Sequence, residues 1–163
     1  LVTLLSGDRL GAIYIQRGRL KLGLAIGLGT FIAGALLAIP WANLLFAGRD
    51  LSLARVLPWA PWVLVFVLAN AAAEELLFRG LFLRKLGPLT GDFAANLAIA
   101  IPFVLMHASA SYFTQPLIFL GATFLLALGW GATMQRTDAW WGSVLFHAGM
   151  DISIILGIFS NLA

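Results

Sequence analysis

Cysteine is absent from this chain of 163 residues, and charged side chains are scarce. Without cysteine, a disulfide scaffold, a thiolate metal site and a cysteine nucleophile are excluded. Only 10% of the residues are charged, whereas a soluble domain carries about 25%. Because so few charges cannot cover the surface of a water-soluble globule, the composition argues against a cytosolic enzyme, a disordered chain and a nucleic-acid binder.

Apolar residues make up 61% of the chain, and its mean hydropathy is +0.98. They form five long runs, each close to the roughly 20 residues that a helix needs to cross a bilayer. The sequence therefore predicts an all-α fold, a polytopic transmembrane bundle of about five helices. The predicted spans are about Leu22–Ala47, Pro61–Leu83, Phe93–Ala110, Pro116–Met134 and Trp140–Ser160.

The length fits one membrane-embedded domain over residues 1–163, with a motif-bearing core at about 61–156 and an N-terminal segment at 1–21. Basic residues between the runs predict its orientation, because cytoplasmic loops carry an excess of Lys and Arg. With a cytoplasmic N-terminus, residues 1–21 are cytoplasmic and only Arg49 and Arg55 lie outside. The inner residues are then Arg9, Arg17, Arg19, Lys21, Arg84, Lys85 and Arg136. We expect an integral protein of a bacterial or archaeal plasma membrane.

The tryptophans lie near the ends of the predicted spans, as expected for an interfacial aromatic belt. They are Trp41, Trp59, Trp62, Trp130, Trp140 and Trp141.

Small residues predict two local features. Gly23 and Gly27 form a GxxxG pattern, which indicates close helix packing. The Gly87-Pro88 pair predicts the end of the second helix. With that end, His107 lies roughly 8–10 Å deeper than the polar residues of the other helices, at about 1.5 Å per residue.

Six ionisable side chains fall inside the predicted spans, and they include both histidines of the chain. Each ionised group at mid-membrane costs about 2.5–3.5 kcal/mol on insertion scales. Such groups on three helices indicate a polar site in the interior of the bundle. They are Glu74, Glu75, Arg79, His107, His147 and Asp151.

Spacing assigns these groups to helix faces. Glu75 and Arg79 are four residues apart, which predicts an ion pair within one helix. Glu74 projects about 100° away, so we expect it to face the site. His147 and Asp151 are also four apart, as are Phe103 and His107.

Two chemistries fit this set of carboxylates and imidazoles. The groups can activate water and stabilise an oxyanion without a metal. Alternatively, a divalent metal such as Zn²⁺ can bind to carboxylate and imidazole groups and keep one position open. The metal candidates are Glu74, His107, His147 and Asp151. HExxH is absent, which excludes a conventional zincin helix.

Three motifs follow one another in order. Residues 74–79 read EExxxR, residues 103–107 read FxxxH, and residues 147–151 read HxxxD. In this order the sequence resembles the CPBP family of intramembrane proteases. That family includes the type II CAAX prenyl endopeptidases and the bacterial Abi-type, bacteriocin-related members.

The resemblance implies an intramembrane endopeptidase that cleaves a membrane-associated or CAAX-like peptide. It implies that Glu74 is the base for water and His107 its partner. It implies that His147 and Asp151 orient the scissile carbonyl and its oxyanion, and that Glu75 and Arg79 act structurally and electrostatically.

Two departures from the family stand out. Asp151 takes the place of the Asn found in the eukaryotic CAAX members, and an ionised Asp repels an oxyanion. Asp151 must then be protonated, orient His147 or bind a metal. Family members also often have more than five helices, which leaves room for others before Leu1.

Two further function classes stay open. One is a non-catalytic immunity or scaffold protein that binds a peptide in the same cavity. The other is an ion or proton carrier, although no inverted repeat is evident in the sequence. We expect the lipid bilayer and a peptide or protein substrate as partners, and no nucleic acid.

Overall fold

The computed structural model describes residues 7, 9–46, 51–110 and 113–159, and this part of the chain is helical with no strand. The predicted helical bundle is confirmed. Its five main helices are α1 (Leu20–Leu45), α2 (Leu53–Thr90), α3 (Asp92–His107), α4 (Pro116–Thr137) and α5 (Trp141–Phe159).

Four of these helices are long and apolar enough to cross a membrane, namely α1, α2, α4 and α5. The third predicted span differs, because α3 has only 16 residues. At about 1.5 Å per residue it is roughly 24 Å long, less than the hydrocarbon core of about 30 Å. Helix α3 ends at His107, whereas the predicted span continues to Ala110.

Helix α5 packs against α1, α2 and α4, and its contact with α1 is made by glycines. Gly23 and Gly27 lie against Gly142, and Gly34 lies against the backbone of Gly149. A Cβ atom at any of these positions except Gly23 would collide with the facing helix. The close packing expected from the GxxxG pattern therefore joins α1 to α5.

Helix α2 changes its geometry along its length. It contains a 3₁₀ turn at Leu57–Trp59 and a π-helical segment at Glu75–Leu83. The predicted end at Gly87-Pro88 is wrong, because both residues lie inside the helix. Gly91, with φ +82°, follows its last residue and donates its N–H to the Gly87 carbonyl. Because α2 reaches Thr90, Glu74 and His107 lie at similar distances along the chain from the α2–α3 turn.

The segment before α1 packs against the neighbouring helix ends. Trp140 donates its backbone N–H to the Tyr14 carbonyl at 3.1 Å. The Arg84 guanidinium lies 4.3 Å from the centre of the Tyr14 ring and pairs with Asp138. Burial raises the pKa of the Tyr14 hydroxyl, and Arg84 opposes that shift. These contacts gather the predicted inner basic residues at one end of the bundle.

Candidate active site

Glu75 and Arg79 form an ion pair within the π-helical segment of α2. Arg79 Nη1 donates to Glu75 Oε1 at 2.8 Å, and both side chains are fully buried. Arg79 also donates to the Ala127 carbonyl at 3.2 Å and lies over the Phe103 ring, 4.5 Å from its centre. A buried charge needs such partners to offset its desolvation, so this pair ties α2 to α3 and α4.

Glu75 has two more partners on α5. Ser143 Oγ donates to Glu75 Oε2 at 2.6 Å, and His147 Nδ1 lies 2.9 Å from Glu75 Oε1. Because a carboxylate only accepts, the His147 Nδ1 carries a proton. Sequence reasoning gave Ser143 no role, although it precedes His147 by one helical turn. Its position four residues from a membrane histidine was the available signal.

The second nitrogen of His147 faces two other carboxylates. His147 Nε2 lies 3.6 Å from Glu74 Oε2 and 3.4 Å from Asp151 Oδ1. Asn70, which sequence reasoning also missed, donates its Nδ2 to Asp151 Oδ2 at 3.0 Å. The ring thus lies between carboxylates on both sides, and only an imidazolium donates from both nitrogens.

Trp130 covers one face of the His147 imidazole. Their ring centroids are 3.7 Å apart and the planes differ by 10°. Trp130 is 3% exposed, so its prediction as a residue of the interfacial belt is wrong. Its indole lies against His147 and the edge of Phe103 inside the bundle, because an aromatic ring packs favourably on an imidazole and a nearby guanidinium.

His107 lies at the last residue of α3. Its Nδ1 is 2.8 Å from the Phe103 carbonyl oxygen, and its ring centroid is 4.6 Å from that of Phe103. A carbonyl only accepts, so Nδ1 carries the proton and the neutral ring has its lone pair on Nε2. His107 thus bonds to its own helix, whereas His147 bonds to a carboxylate of α2.

A cavity of about 200 Å³ joins the predicted residues. It is lined by Glu74, His107, His147 and Asp151, whereas the buried Glu75 and Arg79 lie behind its wall. The Oε2 atom of Glu74 is buried without a hydrogen-bond partner in the described part of the chain. The two adjacent glutamates therefore have different surroundings. Glu75 accepts hydrogen bonds from three side chains, whereas Glu74 lines the cavity and its Oε2 accepts none from the described residues. The catalytic roles of all six residues stay predictions.

The side chains predicted as metal ligands share this cavity and have the oxygen and nitrogen donors that zinc takes. Across residues 9–46, 51–110 and 113–159, however, no group of three or more His, Cys, Asp or Glu side chains is placed to hold a metal ion. As placed, the donors do not form a zinc site.

Comparison with known families supports the resemblance drawn from the motifs. The family model described as Rce1-like, type II CAAX prenyl endopeptidase, matches residues 56–153. The matched range covers more than half of the chain and contains all six predicted site residues. No curated protein and no solved structure matches the chain significantly.

Proposed function

The chain belongs to the Rce1-like family of type II CAAX prenyl endopeptidases, which are intramembrane proteases, and we propose that its Glu74 activates the water that cleaves the substrate. The substrate we propose is a membrane-associated or CAAX-like peptide. The proposal rests on the different surroundings of the adjacent residues Glu74 and Glu75.

The observation that carries it is that Glu74 lines the cavity and that its Oε2 accepts no hydrogen bond from the described residues. A general base needs a free lone pair within reach of the proton that it removes. Glu75 cannot reach such a proton, because it is fully buried away from the cavity and Arg79, Ser143 and His147 already donate to its two oxygens. Glu74 is therefore the base, and Glu75 holds Arg79, Ser143 and His147 in place.

His107 positions the same water. His107 and Glu74 line the same cavity, and because Nδ1 of His107 bonds to the Phe103 carbonyl, its Nε2 lone pair is left for a water. A water between the two donates one hydrogen to Glu74 and the other to His107 Nε2. This leaves an oxygen lone pair for attack on the scissile carbonyl carbon.

His147 stabilises the oxyanion that this attack produces. Its Nδ1–H is fixed on Glu75, so an imidazolium presents its Nε2–H to the carbonyl oxygen. Before substrate binds, Asp151 Oδ1 lies 3.4 Å from the same Nε2, with Asn70 donating to its second oxygen. The carbonyl oxygen replaces Asp151 as the acceptor for this single N–H when the substrate binds. The positive charge of the imidazolium offsets the repulsion between the Asp151 carboxylate and the oxyanion.

The proton returns in the second half of the reaction. Glu74 takes a proton from water as the new carbon–oxygen bond forms, and it gives that proton to the amide nitrogen as the carbon–nitrogen bond breaks. The first products are a carboxylic acid and an amine, the acid then gives its proton to the amine, and no redox partner is needed. This mechanism uses protein side chains alone, and zinc binding by Glu74, His107, His147 and Asp151 is the competing mechanism.

The test is cleavage of a quenched fluorescent peptide library by the full chain in detergent or liposomes. We expect Glu74→Gln to lose about 100-fold or more in kcat, the range for loss of a general base, while the protein elutes as a folded species. Asp92→Asn makes the same chemical change on an exposed residue outside the cavity and should leave kcat unchanged. Full activity of Glu74→Gln would contradict the proposal, whereas no cleavage by the wild type would favour a non-catalytic peptide-binding role.

A further inference from the structure

Among the described residues that line the cavity, Asn70 carries the one carboxamide. It donates an N–H to Asp151 Oδ2 at 3.0 Å. Because a carboxylate only accepts, the amide nitrogen and not the amide oxygen faces Asp151. That nitrogen carries two hydrogens, so the hydrogen bond to Asp151 uses one N–H and leaves a second one.

The second N–H of Asn70 lies toward Glu74. Asn70 precedes Glu74 by four residues, so both side chains project from one face of α2, and the amide interacts with the Glu74 carboxylate. Because an amide group is planar, the hydrogen bond to Asp151 also fixes the direction of the second N–H. The carboxamide thus lies between the general base on α2 and the Asp151 carboxylate on α5.

The imidazole that stabilises the oxyanion lies beside the same two carboxylates. His147 Nε2 is 3.6 Å from Glu74 Oε2 and 3.4 Å from Asp151 Oδ1. The amide of Asn70 and the imidazole of His147 therefore approach one pair of carboxylates from two different helices.

The reaction moves negative charge away from Glu74. Glu74 becomes neutral when it takes the water proton. The carbonyl oxygen becomes negative at the same time, because the new carbon–oxygen bond forms and the π electrons of the carbonyl move onto its oxygen. An N–H that interacts with Glu74 before the reaction therefore gains a stronger acceptor in the oxyanion. Only interactions that are stronger in the transition state than in the ground state accelerate a reaction.

We propose that Asn70 is a second oxyanion donor, which gives its second N–H to the scissile carbonyl oxygen while its other N–H stays on Asp151. The inference rests on the proposed protease function. His147 then supplies a charged donor from α5, and Asn70 supplies a neutral donor from α2. Because the amide bonds to Asp151 and to the oxyanion at the same time, it offsets part of the repulsion between these two anions.

The kinetic test removes the amide. Asn70→Leu keeps a side chain of similar size and should lower kcat by roughly 10–100-fold with little change in KM. The loss of one oxyanion donor costs about 10²–10³-fold in kcat, and we expect less here because the N–H also interacts with Glu74 before the reaction. Asn70→Ala, which also lacks the donor, should show the same loss. An unchanged kcat in both variants would overturn the proposal.

A matched control makes the same substitution away from the cavity. Asn43 is exposed on α1 and does not line the cavity, so Asn43→Leu should keep the wild-type kcat.

A binding measurement separates donation to the oxyanion from an effect on Glu74. The probe has the sequence of the best-cleaved peptide with a phosphinate, a tetrahedral anion, in place of the scissile amide. The probe and the parent amide peptide are titrated against full-length Glu74→Gln, in which residue 74 is neutral as it is after proton transfer. Addition of Asn70→Leu should weaken phosphinate binding by roughly tenfold or more and leave binding of the parent peptide nearly unchanged.

Two results of this titration would overturn the assignment of Asn70 and leave the protease function intact. One is a phosphinate affinity that Asn70→Leu does not change, and the other is an equal loss of affinity for both peptides. If the wild type cleaves no peptide faster than Glu74→Gln, the proposed function is wrong, and this inference is wrong with it.

A further background tests whether Asn70 acts only through Asp151. Asp151→Asn removes the charge and keeps an oxygen that can accept from Asn70. When it is added to Glu74→Gln, Asn70→Leu should still weaken phosphinate binding by a similar factor. If the loss disappears in this background, Asn70 only holds Asp151 in place and is not an oxyanion donor.

Discussion

The indole of Trp130 stacks on the imidazole of His147, with ring centroids 3.7 Å apart and planes within 10° of parallel. The stack joins α4 to α5 at the floor of the cavity. Glu75 fixes one nitrogen of the same ring at 2.9 Å. Trp130 fixes the plane of the imidazole and Glu75 fixes its rotation within that plane. His147 therefore has one orientation, with Nε2 toward Glu74 and Asp151.

Replacing Trp130 should therefore impair catalysis more than substrate binding. An aromatic pair contributes about 0.5–1.5 kcal/mol beyond its buried area, so we expect Trp130→Leu to lower kcat by about tenfold with little change in KM. Trp130→Phe keeps an aromatic face and should recover most of the loss. Steady-state kinetics on one cleaved peptide measure both effects. Trp62→Leu, at an indole that is 64% exposed, is the control, and an unchanged kcat for Trp130→Leu would refute the positioning role.

Removing Arg79 should destabilise the protein through the buried pair. Arg79→Met leaves the Glu75 carboxylate in a dry interior with one cation fewer, and loss of one partner of a buried pair costs about 3–5 kcal/mol. Arg84→Met is the matched control on the same helix, because the Arg84–Asp138 pair is partly exposed and such pairs contribute about 0–1 kcal/mol. The melting temperatures of the two variants are compared by heating each in detergent and measuring the remaining folded protein by size-exclusion chromatography. Similar melting temperatures would show that the buried pair is not a major source of stability.

Metal removal distinguishes the two mechanisms of water activation. With the donors placed as they are, we expect the purified protein to contain no stoichiometric zinc and to keep its rate of peptide cleavage after dialysis against a chelator. Elemental analysis and the residual rate give the answer together. The metal-dependent alternative would be established if the chelator removed activity and added zinc restored it. In that case zinc should not restore activity to His147→Ala.

The cysteine-free sequence permits a direct test of orientation. Arg17 lies at the basic end of the bundle and Leu53 at the start of α2, at the other end, and both are exposed. With the basic end cytoplasmic, a membrane-impermeant maleimide should label Leu53→Cys in intact cells. Arg17→Cys should react only after permeabilisation. The reverse pattern would place the N-terminus outside.

Much of the local arrangement could be predicted from the sequence. The charge content indicated a membrane bundle, and the four-residue spacing of Glu75 and Arg79 matches the ion pair that the structure contains. The different directions of Glu74 and Glu75 also follow from adjacent positions on a helix. These features depend on residues within one or two helical turns, so helix geometry alone determines them.

The neighbours of these residues on other helices could not be predicted in this way. Its position near a span end predicts that Trp130 lies at the membrane interface, and nothing in the sequence pairs Ser143 with Glu75. A helix that ends at Gly87-Pro88 predicts a His107 deeper in the membrane than Glu74, whereas α2 continues to Thr90.

The sequence by itself determined that this is a helical membrane protein whose few interior charges lie in three motifs. Only the tertiary structure decided that Glu75 and Trp130 fix His147, that Ser143 donates to Glu75, and that Oε2 of Glu74 accepts no hydrogen bond from the described residues. The physical reason is distance along the chain. These contacts join residues on different helices, and their geometry depends on how closely the glycine-lined faces of α1 and α5 and the aromatic faces of α3 and α4 pack.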